Sequence, residues 1–148
     1  MTAEALPFGS FELIVEHGPD PLIFADREGV IRIWNAAAAE LFGHSREEAI
    51  GQTLDLIIPE RFRDQHWTGF DGALAAGETK YRGQVLTSRS MRKDGTTMYV
   101  EMTFSIPKDA EGAALGALAS LRDVTERFER ERAARQAARA PEGTPASS

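Results

Sequence analysis

The sequence predicts an α+β domain in which an antiparallel sheet carries helices on one face. Its apolar segments come in the order of two strands, several helices, three strands and a final helix. That order is not the strand–helix alternation of a parallel sheet. Two pairs of strands are joined by short turns that contain Gly, as in hairpins. A length of 148 residues suits one such domain with a tail.

The first two strands are predicted to form a hairpin. Residues 21–25 and 30–34 are short apolar stretches that flank Asp26-Arg27-Glu28-Gly29. An Asp side chain can accept hydrogen bonds within its own turn, and Gly adopts a positive φ without strain.

Two short helices are predicted to follow. Asn35 is placed to cap a helix over residues 36–42, and Gly43 to end it. Ser45-Arg46-Glu47-Glu48 matches the capping box, in which Ser and Glu each satisfy a backbone N–H of the first turn. The second helix is expected to stop near Gly51.

A longer helix is predicted between Pro59 and Gly77. Pro suits the first turn of a helix, and Gly suits the left-handed residue that ends one. Four side chains recur at a spacing of four residues and form one stripe along this helix. They are Phe62, His66, Phe70 and Leu74.

Three further strands, over residues 81–91, 98–104 and 115–121, are predicted to complete the sheet. Lys93-Asp94-Gly95-Thr96 contains the Asp-Gly pair typical of tight hairpins. In the strand that follows, apolar side chains alternate with others and give it one apolar face. The apolar members are Met98, Val100, Met102 and Phe104.

The chain is predicted to end in a charged helix and a tail. Thr125 can start a helix over residues 125–140, whereas residues 141–148 contain no large apolar side chain and are expected to be disordered. Residues 122–139 carry six Arg against four acidic residues, so this segment is basic and the rest of the chain is acidic. The helix either packs one stripe on the domain, pairs with a partner helix, or is solvated.

Composition excludes several classes of function. The chain has no Cys, which rules out disulfides, thiolate metal sites and a cysteinyl photoadduct. The net charge of −6 disfavours nucleic-acid and anionic-membrane partners, and no apolar run is long enough to span a bilayer. We find no phosphate-binding loop, nucleophile elbow or zinc-protease motif, so we do not expect an enzyme. A cytoplasmic location is expected.

Three stretches resemble the PAS sensory family. They are 22–31 with 34–38, then 41–52, and finally Arg92-Lys93-Asp94-Gly95-Thr96 with the closing segment 121–127. The resemblance covers residues 11–128 in unbroken order. It implies a five-stranded antiparallel sheet with flanking helices over 11–124, after an N-terminal tail of 1–10. It also implies a pocket under the long helix, sensing or homodimerisation, and a signal that leaves through Asp123-Val124-Thr125 and the C-terminal helix to an output domain or partner kinase.

Within that family, residues 59–66 resemble the helix of FixL-type oxygen-sensing kinases that carries the proximal haem histidine. Carried over, His66 would bind the iron of haem b. Those sensors place a distal arginine where this chain has Leu86. The remaining pocket residues are expected to be Phe70, Gln84, Met98, Val100 and Met102. Such an apolar wall favours carbon monoxide or nitric oxide over oxygen, or leaves a methionine as the sixth ligand, and Gln84 is the one nearby donor on its strand.

Other readings of the same residues stay open. The domain could be a ligand-free dimerisation or relay module, with residues 11–15 and the C-terminal helix in contact with a second copy. It could bind another small apolar ligand, whereas flavin is less favoured because no polar cluster suits its ring edge. Surface or structural roles are expected for His17 and His44, and core or interface roles for Trp34 and Trp67.

Overall fold

The computed structural model describes residues 6–139. The strands are β1 (Leu22–Asp26), β2 (Ile31–Trp34), β3 (Leu86–Met91), β4 (Thr97–Ser105) and β5 (Gly116–Asp123). The helices are α1 (Ser10–Glu16), α2 (Ala36–Phe42), α3 (Arg46–Ala49), α4 (Arg63–Ala76) and α5 (Thr125–Arg139), with two 3-10 turns, Leu54–Ile57 and Glu60–Phe62, before α4. The disordered tail predicted for residues 141–148 and the first half of the tail predicted for 1–10 lie outside the described residues.

The five strands form one antiparallel sheet in the order β2-β1-β5-β4-β3. The last strand is therefore inserted at the centre, between the first hairpin and the β3–β4 hairpin. This arrangement confirms the α+β fold class and the five-stranded antiparallel sheet.

The local sequence signals around α2 and α3 are confirmed. Asn35 Oδ1 accepts a hydrogen bond from the Ala38 N–H at 3.0 Å, and Gly43 ends α2 with a φ of 84°. The capping box of α3 is complete, since Ser45 and Glu48 each bond the backbone of the other. These contacts set where the chain turns away from the sheet.

Two predicted boundaries are wrong. The α-helix begins at Arg63 rather than at Pro59, because Pro59 is extended with ψ 140° and a 3-10 turn follows it. The third strand begins at Leu86 rather than at residue 81. Gly83 has a φ of 75°, and the Gln84 N–H donates to the Tyr81 carbonyl at 2.8 Å, so this segment is a turn.

One face of the sheet, called here the inner face, packs on α2, α3 and the first 3-10 turn. Large apolar side chains fill this contact and are almost wholly inaccessible to solvent: Ile31, Trp34, Phe42, Met98 and Val100. The core of the domain therefore lies over β2 and the start of β4.

The opposite, outer face meets the exit helix. Tyr99 alternates with Met98 and Val100 along β4, so it lies on the outer face. The ring of Phe128 in α5 stacks on Tyr99 with 3.9 Å between centroids. The expectation of helices on one face holds for α2 to α4, whereas the first turn of α5 contacts the other face. No helix within residues 6–139 has the length and apolar character to cross a bilayer.

Candidate functional site

The middle of the inner face carries several small side chains. Ala25 is paired with Ala117 between β1 and β5, and Ala119 is paired with Ile23. Paired residues point to the same face, so three methyl groups and Ile23 form the middle of the sheet surface. Helix α4, which carries His66, contacts β5, the central strand of the sheet.

His66 lies on α4 and is half-buried. Its Nδ1 atom is buried and has no hydrogen-bond partner. Burial lowers the pKa of the His66 imidazole, although the nearby carboxylates of Asp55 and Asp71 oppose the shift. The ring is therefore neutral at pH 7, with an unpaired polar atom in the interior.

Aromatic rings surround this imidazole. The ring centroids of His66 and Trp67 are 4.8 Å apart in an edge-to-face arrangement, and those of His66 and Phe70 are 6.0 Å apart. Phe70 is buried, as predicted for the helix stripe. These rings give the imidazole an apolar environment.

Two residues of the site were missed by sequence reasoning. The Trp67 indole N–H donates to Asp55 Oδ1 at 2.7 Å, and the Trp67 ring rests directly on Gly29. Trp67 had been expected to be a core or interface residue, and Asp55 had no predicted role. Only the three-dimensional fold brings the 3-10 turn, the β1–β2 turn and α4 together, so no local signal marks this contact.

The other predicted pocket residues divide into two groups. Met98 and Val100 are fully buried within the packed core. Leu86 and Met102 are paired across β3 and β4 and are half-buried at the edge of that core. Gln84 is exposed and lies in the turn before β3, so its predicted place on the strand is wrong.

The exit segment is held to β4 by several contacts. Thr125 Oγ1 accepts from the Tyr99 N–H at 2.9 Å, while Asp123 accepts from the Thr125 N–H and from Arg92. Although burial opposes it, the hydrogen bonds from Thr125 lower the pKa of Asp123. Arg127 of α5 also pairs with Glu101. The start of α5 is thus coupled to the strand that carries Met98 and Val100.

The two remaining histidines are placed differently. His17 is exposed after α1, and His44 is half-buried, with its carbonyl accepting from the Trp34 indole N–H at 3.0 Å. Within residues 6–139, no cluster of three or more His, Asp or Glu side chains is arranged to hold a metal ion.

The sequence profile of the PAS fold matches residues 15–129. The chain belongs to the PAS family. Its relatives include the sensor protein FixL of Bradyrhizobium diazoefficiens, 32% identical over 73% of this chain and 21% of FixL. They also include the oxygen sensor protein DosP of Escherichia coli, 25% identical over 79% of this chain and 14% of DosP.

Solved structures agree with the PAS fold. The PAS domain of a protein from Colwellia psychrerythraea superposes with a TM-score of 0.68 at 23% identity, over 79% of this chain and 96% of that domain. The chain spans 14% to 21% of the length of the curated relatives it matches. It corresponds to the PAS unit of those longer proteins.

Proposed function

We propose that this PAS domain is a sensory module that binds haem b through a ring nitrogen of His66 and responds to a diatomic gas or to redox state. The observation that carries the proposal is the buried, unpartnered Nδ1 atom of His66. Buried polar atoms are nearly always hydrogen-bonded, so an orphan marks a group kept for another purpose.

The chain's residues fit haem in three respects. Iron takes a neutral imidazole, and burial keeps His66 neutral. The rings of Phe70 and Trp67 lie beside the imidazole on α4 and give it apolar neighbours. The alanines of β1 and β5 leave little side-chain volume on the middle of the inner face. When bound, haem would supply an iron atom to which a diatomic gas can bind.

In this proposal, the gas preference depends on the side chains of Leu86 and Met102. Leu86 and Met102 are neighbours on the inner face and offer no N–H or O–H donor. Iron-bound oxygen is polarised and is stabilised by a hydrogen-bond donor, whereas bound carbon monoxide is stabilised less by such a donor. We therefore expect carbon monoxide or nitric oxide to be favoured over oxygen.

The signal would leave through β4 and α5. Haem would contact the inner face, and β4 carries Thr125 and Phe128 of the exit segment on its other side. A shift of β4 therefore changes how firmly the first turn of α5 is held. In a longer protein this helix would lead to an output domain or a partner kinase.

A ligand-free dimerisation or relay module is the second candidate, and α1 favours it. Phe11, Leu13 and Ile14 are 72%, 61% and 57% exposed, which leaves an apolar helix surface without a partner among the described residues. A second copy of the chain would cover it. A homodimer is compatible with both candidates, so the cofactor decides between them.

Haem addition to the purified protein tests the proposal. We expect a Soret band that survives desalting in the wild type and in His44→Ala but is lost in His66→Ala. Equal bands in the wild type and His66→Ala would contradict a role for His66. A yellow protein as isolated would indicate flavin instead.

Oligomeric mass tests the dimer. We expect Phe11→Asp together with Ile14→Asp to convert a dimer to a monomer, because charges on the apolar surface of α1 cannot be buried between copies. Truncation before Thr125 tests the exit helix separately. An unchanged mass in both variants would contradict this dimer surface.

A further inference from the structure

An axial histidine usually has its ring held by a hydrogen bond from its second nitrogen to a carboxylate or a carbonyl. His66 lacks this partner at Nδ1. Its orientation must therefore be fixed by something other than its own hydrogen bonds. The neighbouring residue, Trp67, makes the contacts that can do so.

Trp67 is fixed at both ends of its indole ring. Its N–H donates to Asp55 Oδ1 at 2.7 Å, which is a short, charge-assisted hydrogen bond. The six-membered part of the ring occupies the space where a side chain on Gly29 would begin, so a Cβ there would overlap it. Gly29 is buried and has a φ of 78°. Glycine adopts this backbone conformation without strain, and its lack of a side chain leaves room for the Trp67 ring.

The two surfaces that hold Trp67 are themselves joined. The Leu54 N–H donates to the Gly29 carbonyl at 3.2 Å, which ties the 3-10 turn of Asp55 to the β1–β2 turn. Arg63 at the start of α4 donates to the Asp55 carbonyl at 3.3 Å and lies 3.9 Å from its carboxylate. Trp67 is thus seated on a connected frame rather than on a loop.

Fixing Trp67 also fixes the direction of His66. Successive residues of an α-helix are separated by a constant rotation, so anchoring one side chain sets the rotation of α4 about its axis. The His66 ring also lies edge-to-face on Trp67, at 4.8 Å between centroids. Loss of either anchor would let α4 turn and the imidazole swing.

We propose that Trp67, held by Asp55 and seated on Gly29, is the positioning residue that fixes the orientation of the His66 imidazole. The role in haem binding rests on the proposed function. The orientation of His66 does not, and can be measured in the haem-free protein.

The first test uses NMR on the haem-free protein. We expect one set of nuclear Overhauser contacts between the His66 and Trp67 rings in the wild type. Asp55→Ala should weaken these contacts and expose the Trp67 N–H to solvent exchange, whereas Asp55→Asn, which keeps an oxygen acceptor, should restore them. Unchanged contacts in Asp55→Ala would overturn the proposal.

The second test adds ferric haem and follows its transfer to excess apomyoglobin. Trp67→Phe keeps a ring on Gly29 but removes the N–H that bonds Asp55, and we expect it to release haem roughly 10-fold faster because the His66 imidazole is then less firmly oriented. Asp71→Asn is the matched control. It removes a carboxylate near His66 that has no hydrogen bond to Trp67, and we expect the wild-type rate.

The outcomes separate the two proposals. If the wild type retains a His66-dependent Soret band and Trp67→Phe releases haem at the wild-type rate, the positioning role is wrong and haem binding stands. If the wild type gains no such band, haem binding is wrong and the NMR contacts alone decide the positioning role.

Discussion

Asn35 is fully buried and His66 is half-buried, and the two side chains differ in how their buried polar atoms are satisfied. Asn35 uses both N–H bonds, to the carbonyls of Val15 and Asp20, and its oxygen accepts from Leu22 and Ala38. The Nδ1 atom of His66 has no partner.

The comparison extends to the regions around these residues. Asn35 adjoins the packed core over β2 and the start of β4, where large side chains are fully buried. Beside His66, the ring centroids of Trp67 and Phe70 lie 4.8 and 6.0 Å away, and the buried Nδ1 atom has no hydrogen-bond partner. Large side chains complete the first region, whereas the second contains a buried polar atom that the described chain leaves unpaired. The packed core therefore stabilises the fold, whereas the surroundings of His66 form the site that we propose binds haem.

The largest expected effect comes from two methionines on the same face of β4. Met98→Ala should lower the free energy of unfolding by about 3 kcal/mol, because it leaves a cavity in a packed core. Met102→Ala should cost only about 1 kcal/mol, because Met102 is already half-exposed. Urea unfolding of both variants measures this. Equal losses would show that the edge of the core at Met102 is packed as tightly as its centre at Met98.

A smaller loss is expected for Asn35→Ala. Removal of the side chain leaves two carbonyls and two N–H groups without their partner, at a cost of about 2 kcal/mol. The same urea experiment gives the value. Asn35→Asp should also destabilise, because a carboxylate cannot donate to Val15 and Asp20. A neutral result for Asn35→Ala would mean that water replaces these bonds.

For His66→Leu in the haem-free protein, we expect stabilisation rather than destabilisation. Replacing an unpaired buried polar atom by carbon should raise the free energy of unfolding by about 1 kcal/mol. Such a gain on removing a buried polar group is typical of a residue kept for function rather than for stability. Destabilisation by more than about 1 kcal/mol would indicate that His66 has a structural role.

The smallest expected effect is a pH dependence at the exposed ion pair between Lys93 and Glu48 of α3, beside the packed region. The Lys93 ammonium, which bonds Glu48, together with the Ser45 N–H, lowers the pKa of Glu48 to about 2. The folded pKa lies below the unfolded one, so this contribution is present above the unfolded pKa and is lost as pH falls toward about 2. Glu48→Gln should weaken the dependence of the free energy of unfolding on pH, whereas the neighbouring Glu47→Gln should not. If the free energy of unfolding of the wild type did not fall with pH in this range, the Lys93–Glu48 interaction would be contradicted.

Local chemistry made much of the fold predictable. Asn35, Ser45 and Gly43 fix the ends of α2 and α3 through contacts within a few residues, and the structure confirms them. The strand boundary at Leu86 could not be predicted in this way. Tyr81 and Val85 are residue types that favour strands, so the sequence did not separate them from Leu86, and the positive φ of Gly83 shows that the chain turns there.

The site was predictable only in part. The spacing of His66 and Phe70 placed both on one stripe of α4, and the structure buries Phe70 and the Nδ1 atom of His66. The Trp67–Asp55 bond was not predictable, because its partners are 12 residues apart and meet only when α4 packs on the β1–β2 turn. Residues 11–15 were expected to contact a second copy of the chain in the alternative interpretation, but no helix was predicted there, whereas the structure forms α1 over Ser10–Glu16.

Rescue by imidazole tests the central claim most directly. His66→Ala should fail to hold haem through desalting, and added imidazole should restore the Soret band by filling the space left by the side chain. That result would show that the ring of His66 is the iron ligand. Full haem retention by His66→Ala without imidazole would contradict the claim.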